Sequence, residues 1–324
     1  MAVAEDTTDV VIEERAAPMT RRLLAEFVGT LVFVAVGTGT ATVMALGPLR
    51  ALGGISEALG ETGNEPLFEG LLSNQLGDVF PVAFAFATAL AVLVYALGGI
   101  SGAHFNPAVT FSLAVARRFK WSEVPIYWVV QILGGIAGAF IIAGIYGHGE
   151  PSGAQALFGG TVVSAGVNQA QALLAEAFIT FILVTAIMAI AVDPRAPKGW
   201  SGLIIGLGLA AGILVTSAAT GGSANFARSL GPFVASLFFD HPPIPWADLL
   251  IYAAGPLIGG AAAALVYESV TGLEEISPAP RPGAATGSPL VDGDVHYDAP
   301  LDEGLHDHPH DHPHDHGEGK DHTH

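Results

Sequence analysis

Six long apolar stretches constrain this chain more than any other feature of its sequence. Each is long enough to cross a hydrocarbon layer of ~30 Å as one α-helix. With 51% hydrophobic residues, 13% charged residues and 41 glycines, the composition lies far from that of a soluble domain. We therefore predict an all-α membrane protein. The predicted spans are residues 23–46, 80–97, 124–146, 172–192, 202–219 and 247–267.

Most of the charge lies outside these spans. The net charge of −18 arises largely from the two ends of the chain and from the segment before the second span, so it belongs to solvated regions. We predict an acidic N-terminal arm (1–19), a membrane domain (20–271) and a disordered, acidic, His-rich tail (272–324). A polar insert (47–78) follows the first span, as a short surface helix or a flexible loop. The absence of cysteine excludes disulfides, thiol chemistry and cysteine-based zinc sites.

Two short segments that contain an asparagine lie between spans. Residues 101–110 read Ser-Gly-Ala-His-Phe-Asn-Pro-Ala-Val-Thr, and residues 221–228 read Gly-Gly-Ser-Ala-Asn-Phe-Ala-Arg. Each passes from small residues to an asparagine that can cap a helix, and then to an apolar stretch too short to cross a bilayer. We predict two half-helices that start at Asn106 and Asn225. Irregular backbone at membrane depth is tolerated only in protein or beside a wet cavity, so the loops should line a path.

The two halves of the membrane domain repeat each other. Residues 23–26 and 173–176 both read Leu-Leu-Ala-Glu, and each opens a set of three spans with a half-helix between the second and the third. Because three is odd, the repeats (about 20–147 and 169–271) must be inverted, which brings the N-termini of the half-helices together near the bilayer midplane. Lys and Arg lie mainly on one side of this topology, so both chain termini are predicted to be cytoplasmic.

These features together resemble the aquaporin, or major intrinsic protein, family. The resemblance covers residues 20–271 and rests on the two asparagine segments, the six spans and the inverted repeat. It implies a right-handed bundle of six tilted helices plus two half-helices, usually a homotetramer in the cell membrane with one pore in each protomer. It also implies passive transport, no required cofactor, no enzymatic activity and no nucleic-acid partner. Further residues at positions that the family favours are Glu26, Gln131, Glu176 and Pro256.

The resemblance assigns the pore asparagines to Asn106 and Asn225. Their side-chain amides would donate into the lumen where two positive helix ends meet, so a water there could not relay a proton and cations would be repelled. The alternative is that both are only helix caps. Phe226 departs from the family, which usually has proline at this position. It leaves either a repacked junction with an intact pore, which we favour, or a shifted Asn225 with an altered constriction.

The four positions of the family's outer filter fall on Phe86, Ile213, Gly222 and Arg228. Arg228 would repel cations and offer fixed donors; alternatively, it snorkels to the surface or pairs with an outer glutamate. Ile213 replaces the histidine of typical water-selective members, and Gly222 widens the ring. We therefore expect a wider, more apolar filter that passes water and small neutral solutes. Ammonia fits this filter, and glycerol could pass more slowly.

Other residues near the asparagines have supporting roles in this interpretation. Glu26 and Glu176 would brace the loop backbones without touching the permeant, with a proton relay as the alternative. His104 is expected to be structural or part of the pore wall, with a metal ligand or a pH gate as the alternatives. Backbone carbonyls would form a ladder of acceptors for molecules in file. The carbonyl ladder comprises Ala103, His104, Phe105, Gly221, Ser223 and Ala224.

The tail carries histidines that alternate with aspartate and proline. Clustered imidazoles and carboxylates suit Zn, Ni or Cu in an adaptable site of low specificity, so a divalent transition metal is the one cofactor that the sequence suggests. An expression tag is the alternative, but the interleaved Asp and Pro favour a native tail. The candidate ligands are His306, His308, His310, His312, His314 and His316.

The leading functional hypothesis is a passive channel for water and small neutral solutes, with a glycerol or small-solute facilitator as the alternative. A proton-coupled secondary transporter also uses inverted repeats and broken helices, but it needs ionisable groups near the midplane that can cycle. Arg228 and the two glutamates are the only candidates for that role. A membrane metal sensor organised by the tail is a third hypothesis.

Overall fold

The computed structural model describes residues 17–59, 75–149 and 151–273. These residues form eight α-helices and no β-strand. Six of the helices are long and apolar enough to cross a membrane, and the other two are short. In chain order the helices are α1 (Met19–Leu59), α2 (Gln75–Ser101), α3 (Pro107–Val115), α4 (Val124–Tyr146), α5 (Gln169–Ile187), α6 (Ser201–Thr220), α7 (Phe226–Ser236) and α8 (Leu249–Thr271).

The long helices, with the short turns that adjoin them, contain all six predicted spans. α5 continues into a π-helical turn, Met188–Val192, and a 3₁₀ turn, Trp246–Asp248, leads into α8. α1 continues to Leu59, well past the predicted end of the first span, because polar residues end a membrane span but need not end a helix. The remainder of the predicted insert at 60–74, the arm at 1–16 and the tail beyond residue 273 lie outside the described residues.

The half-helices α3 and α7 begin where the sequence predicts. Asn106 and Asn225 are their N-caps, with nearly equal backbone angles (φ −154° and ψ 123°, φ −152° and ψ 112°). The helices have 9 and 11 residues, which corresponds to about 14 and 17 Å. Each is therefore only about half as long as the hydrocarbon layer is thick.

The repeat is visible as constant differences in residue number. A shift of 119 relates the ends of α2 and α6, Ser101 and Thr220, and also the two cap asparagines. A shift of 125 relates α4 and its preceding turn, Trp121–Glu123, to α8 and its turn. These shifts give every residue near the junction a counterpart in the other repeat.

Glycines bring α1 against α4, and α5 against α8, at matching positions. A Cβ at Gly134 would lie 2.5 Å from the carbonyl oxygen of Phe27, and a Cβ at Gly259 would overlap the carbonyl oxygen of Ala177. No larger residue fits, because the obstacles are backbone atoms. The two backbone positions directly follow Glu26 and Glu176 in sequence, so these contacts place the helix segments that carry the glutamates.

We predict that Gly259→Ala lowers the stability of the protein and that Gly144→Ala does not. The added methyl group at 259 must push α5 and α8 apart, and overpacking of this kind costs about 1–3 kcal/mol. A Cβ at Gly144 meets nothing within 4 Å, and alanine is favoured over glycine in a helix by roughly 0.5–1 kcal/mol. The midpoint of thermal unfolding should fall only for Gly259→Ala; equal midpoints would contradict this packing.

A pH-insensitive contact ties the α5–α6 connection to α8. The carboxylate of Asp193 accepts hydrogen bonds from Arg195 Nε (2.9 Å) and from the Tyr267 hydroxyl (3.0 Å). The Arg195 side chain, which donates to this carboxylate, lowers the pKa of Asp193 to about 2. Arg195 also donates to the carbonyl oxygen of Thr271 (3.3 Å). Because Asp193 stays ionised at physiological pH, this contact does not depend on pH in that range.

Candidate functional site

The N-termini of the half-helices meet, and each cap asparagine binds the opposite loop. Asn106 Nδ2 donates to the carbonyl oxygen of Ala224 (2.8 Å), and Asn225 Nδ2 donates to that of Phe105 (2.9 Å). Each Oδ1 accepts from a backbone N–H in the first turn of its own helix, at 2.9 and 3.0 Å. The asparagines are therefore both helix caps and the cross-link between the two loops.

Both asparagines also line a narrow, mainly apolar cavity. The space open to the centre of a water molecule is about 20 Å³, which is room for one or two waters. Each Oδ1 is occupied by a cap, and each Nδ2 makes one of its two hydrogen bonds among the described residues, so the amides are available to the cavity as donors. Of the predicted carbonyl residues, Gly221 does not line this cavity. Those that do are Ala103, His104, Phe105, Ser223 and Ala224.

The loops that lead to the asparagines share left-handed backbone conformations. Three residues in each loop have φ between 48° and 94°, and they are related by the shift of 119. A non-glycine residue in this region costs roughly 1–2 kcal/mol, so the surrounding structure must hold it there. The residues are Gly102, Ala103, Phe105, Gly221, Gly222 and Ala224.

Glu26 on α1 holds the first loop. Its buried carboxylate accepts hydrogen bonds from the backbone N–H groups of His104 (3.0 Å) and Phe105 (2.7 Å). It also accepts from the Ser101 hydroxyl (2.6 Å) and from the side-chain amide of Gln131 (2.8 Å). Four donors occupy the four acceptor sites of a carboxylate, so hydrogen bonds compensate the buried charge without a cation.

Glu176 on α5 holds the second loop with one donor fewer. Its carboxylate accepts from Ser223 N (3.0 Å), Ala224 N (2.8 Å) and the Thr220 hydroxyl (2.6 Å). The counterpart of Gln131 in this repeat is Pro256, whose side chain has no donor. Neither glutamate lines the cavity. Their geometry favours the brace over the proton relay.

Two buried tyrosines, which were not predicted from the sequence, also form hydrogen bonds at the junction of the two loops. Tyr127 donates to the carbonyl oxygen of Ser101 (2.9 Å), and Tyr252 donates to that of Thr220 (2.8 Å). They lie 125 residues apart and bind the last residues of α2 and α6. This spacing, which is that of the repeat, could have identified both tyrosines from the sequence, because two buried tyrosines at equivalent positions must each find a hydrogen-bond partner for the hydroxyl.

His104 is buried and supports the first turn of α3. Its Nδ1 lies 3.0 Å from Thr110 Oγ1, and this hydroxyl lies 3.1 Å from the carbonyl oxygen of Asn106. The ring packs against Phe119 and Tyr127, with centroids 4.8 and 5.3 Å apart. Among the described residues, no group of three His, Cys, Asp or Glu could hold a metal ion. This arrangement favours a structural or pore-wall role over that of a metal ligand.

Arg228 lies in the first turn of α7 and is 2% exposed. Its Nη1 donates to the carbonyl oxygen of Gly159 (3.0 Å), and its Cζ lies 5.0 Å from the ring centroid of Phe86. Within the described part of the chain, its Nε has no hydrogen-bond partner. The carbonyl belongs to the turn Gly153–Gly159, which the sequence did not indicate as part of the site. The guanidinium is held inside the protein by this turn and does not snorkel to the surface.

The other two predicted filter residues also lie beside each other. A Cβ at Gly222 would lie 3.2 Å from Cα of Ile213, and Gly222 has φ +61°. The structure thus brings Phe86 together with Arg228, and Ile213 together with Gly222. None of the four lines the cavity at the asparagines, so both pairs lie outside it.

A family comparison accounts for this combination of half-helices and braced loops. The model of the major intrinsic protein family matches residues 13–267. The chain belongs to the major intrinsic protein family. The match includes both half-helices and every predicted site residue of the membrane domain. The resemblance predicted from the sequence is therefore confirmed, and the protein is a multi-pass membrane protein of a channel family.

Individual members of the major intrinsic protein family extend this similarity. Aquaporin AqpM of Methanothermobacter marburgensis is 39% identical over 254 residues, which cover 78% of this chain and 98% of that protein. Probable aquaporin AqpM of Archaeoglobus fulgidus is 37% identical over 252 residues, covering 77% and 96%. The X-ray structure of the aquaglyceroporin from Plasmodium falciparum matches with a TM-score of 0.64 at 21% identity, covering 80% of this chain and 99% of that one. The predicted fold, six spans and two half-helices in an inverted repeat, is confirmed.

Proposed function

We propose that this protein is a passive channel that conducts water and small neutral solutes and excludes ions and protons. The observation that carries the proposal is the reciprocal pair of hydrogen bonds that holds Asn106 and Asn225 beside one cavity. A water between the two amides accepts from both, so its hydrogens point away from the junction and a proton cannot hop past it. The positive ends of two half-helices repel cations at the same place. The relatives named aquaporins support water as a permeant.

The filter residues favour neutral solutes beyond water. Arg228 and Phe86 form one side, with fixed donors beside an aromatic ring. Ile213 contributes no hydrogen-bonding group, and Gly222 contributes no side chain. Such an opening suits ammonia, and it would pass glycerol more slowly because glycerol is larger. This ranking rests on the filter residues, since the aquaglyceroporin shares the fold at only 21% identity.

A proton-coupled transporter is less well supported. It needs a group that gains and loses a proton while the protein changes shape. The carboxylates of Glu26 and Glu176 are engaged with loop backbone and hydroxyl donors and do not line the cavity, and Arg228 is fixed by a carbonyl. These contacts are those of a rigid scaffold. Passive conduction needs no moving ionisable group.

Stopped-flow light scattering on reconstituted vesicles tests this function. Vesicles that contain the protein should shrink several-fold faster than empty vesicles under an osmotic gradient. An ammonia gradient, followed with an internal pH dye, should collapse faster as well, and glycerol should equilibrate more slowly. Shrinkage no faster than that of empty vesicles would contradict the channel. A proton current that accompanies solute would favour the transporter.

We further propose that the protein resides in the cell membrane as a homotetramer with both termini in the cytoplasm. The distribution of Lys and Arg supports the orientation. Large apolar side chains remain exposed on the spans, among them Leu24, Phe80 and Val270, and they support lipid or subunit contacts. Native mass spectrometry should give four chains, and protease added to intact cells should leave the C-terminal tail uncut.

The tail is proposed to bind divalent transition metal ions. It lies outside the described residues, so the proposal rests on the alternation of His, Asp and Pro at 306–316. The full chain should bind zinc in a calorimetric titration, and a chain that lacks residues 280–324 should not. Water permeability should be equal for both, because the site described above lies within the membrane domain. Equal zinc binding by both chains would contradict a metal site in the tail.

A further inference from the structure

Phe226 breaks the repeat at the asparagines, and the structure points to a partner that compensates for it. Its counterpart is Pro107, and both residues begin a half-helix directly after the cap asparagine. In the first repeat Trp128 of α4 covers this position, where its Nε1 donates to the carbonyl oxygen of Pro107 (2.9 Å). The counterpart of Trp128 on α8 is Ala253. The first repeat thus combines a small residue at the start of the half-helix, Pro107, with a large side chain on the long helix, Trp128. The second repeat combines a large residue, Phe226, with a small side chain, Ala253.

We propose that Phe226 and Ala253 are a size-exchanged version of the Pro107–Trp128 pair. The Phe226 ring fills, over the start of α7, the space that Trp128 fills over the start of α3. It thereby acts as a positioning residue that keeps Asn225 at the junction. This inference deepens the proposed channel function and rests on it.

The first supporting observation is that the ring has not displaced Asn225. The two cap asparagines have backbone angles within about 11° of each other. Their bonds to the opposite loops are 2.8 and 2.9 Å long. A bulky residue directly after Asn225 is therefore accommodated without a shift of the amide, and its volume must be taken up elsewhere.

The second observation is that the ring does not enter the cavity. Ser223, Ala224 and Asn225 line the cavity, but Phe226 does not. Phe226 is only half-buried, although the residues on both sides of it are fully buried, and Trp128 is half-buried as well. The Phe226 ring is therefore partly exposed outside this cavity, as the Trp128 indole is in the first repeat.

The third observation is that α8 packs on the half-helices in the register of α4. A Cβ at Gly135 of α4 would lie 2.5 Å from the carbonyl oxygen of Ala227 in α7. A Cβ at its counterpart, Gly260 of α8, would overlap the hydroxyl of Ser112 in α3, which donates to the carbonyl oxygen of Ala108, the counterpart of Ala227. α7 also contacts α8, as α3 contacts α4. Ala253 occupies on α8 the position that Trp128 occupies on α4, so the repeat assigns Ala253 to the space over the start of α7.

A double-mutant cycle tests the exchange. Phe226→Pro alone should leave a void and lower the midpoint of thermal unfolding by about 5 °C, and Ala253→Trp alone should overpack the same space and lower it at least as much. Both single variants should reduce water permeability and raise the ratio of proton flux to water flux. The double variant should restore the midpoint and both fluxes to within about twofold of the unmodified protein, because it rebuilds the pair of the first repeat.

Ala254, which is exposed on α8, provides the matched control. Phe226→Pro combined with Ala254→Trp should show no rescue. A Phe226→Pro/Ala253→Trp variant no better than the worse single variant would overturn the proposal, and so would a Phe226→Ala variant that conducts water faster, since the ring would then lie in the lumen. If the unmodified protein conducts no water, the channel function fails, while the thermal cycle still decides the packing.

Discussion

Replacement of Arg228 by alanine is expected to raise the proton and cation permeability of reconstituted vesicles at least tenfold and to leave water permeability within about threefold. The buried guanidinium is a fixed positive charge beside Phe86. A cation about 5 Å away, at an effective dielectric constant of about 20, is repelled by about 3 kcal/mol, or roughly two orders of magnitude in rate. Water carries no net charge, so it loses only a hydrogen-bond donor. Dye-reported proton flux and osmotic shrinkage, measured on the same vesicles, separate the two effects.

Arg22 offers the matched control for this experiment. It also faces aromatic rings, with its Cζ 5.3 Å from the ring centroid of Tyr127, but it pairs with Glu123 (2.7 Å) at the edge of the bundle. Arg22→Ala should leave ion exclusion unchanged. Arg228→Lys should keep most of the exclusion, since it keeps the charge, but should change solute selectivity because the planar fork of donors is lost. An unchanged proton flux in Arg228→Ala would remove Arg228 from the filter.

The second large effect is expected for Glu26→Gln. The new amide directs N–H groups at backbone donors, so at least one buried N–H of the first loop loses its acceptor. An unsatisfied buried donor costs about 1–3 kcal/mol, and more where a charge was the partner. Ala103 and Phe105, whose backbones have left-handed conformations, also lose part of the hydrogen bonding that stabilises the loop in this shape. We expect the midpoint of thermal unfolding to fall by about 10 °C and most water permeability to be lost.

Glu123→Gln is the control for the carboxylate chemistry. Glu123 pairs with Arg22 and Lys120, and the amide oxygen of a glutamine at this position can still accept a hydrogen bond from Arg22, so that Glu123→Gln removes only the negative charge. Its loss should shift the midpoint by no more than about 3 °C. A proton relay makes the opposite prediction for Glu26→Gln, namely a protein of normal stability that has lost proton movement. Stability and flux measured together therefore distinguish the brace from the relay.

Neighbouring residues were sufficient to predict the helices. The length of an apolar run determines where a helix can cross the bilayer, and small residues before an asparagine mark the start of a half-helix. Both are local properties, which is why the observed helices contain the predicted spans and α3 and α7 begin after Asn106 and Asn225. The extension of α1 to Leu59 shows the limit of this reasoning, since a polar composition did not exclude a helix.

The sequence by itself also determined the inversion of the repeats, because an odd number of spans allows no other arrangement. Only the tertiary structure decided which groups meet. The acceptor of Arg228 lies 69 residues earlier, at Gly159, and Asn106 binds a carbonyl 118 residues later. Such pairs depend on the angles and distances at which helices cross, as at Gly259, and these follow from many packing contacts summed over the bundle. No run of neighbouring residues contains that information.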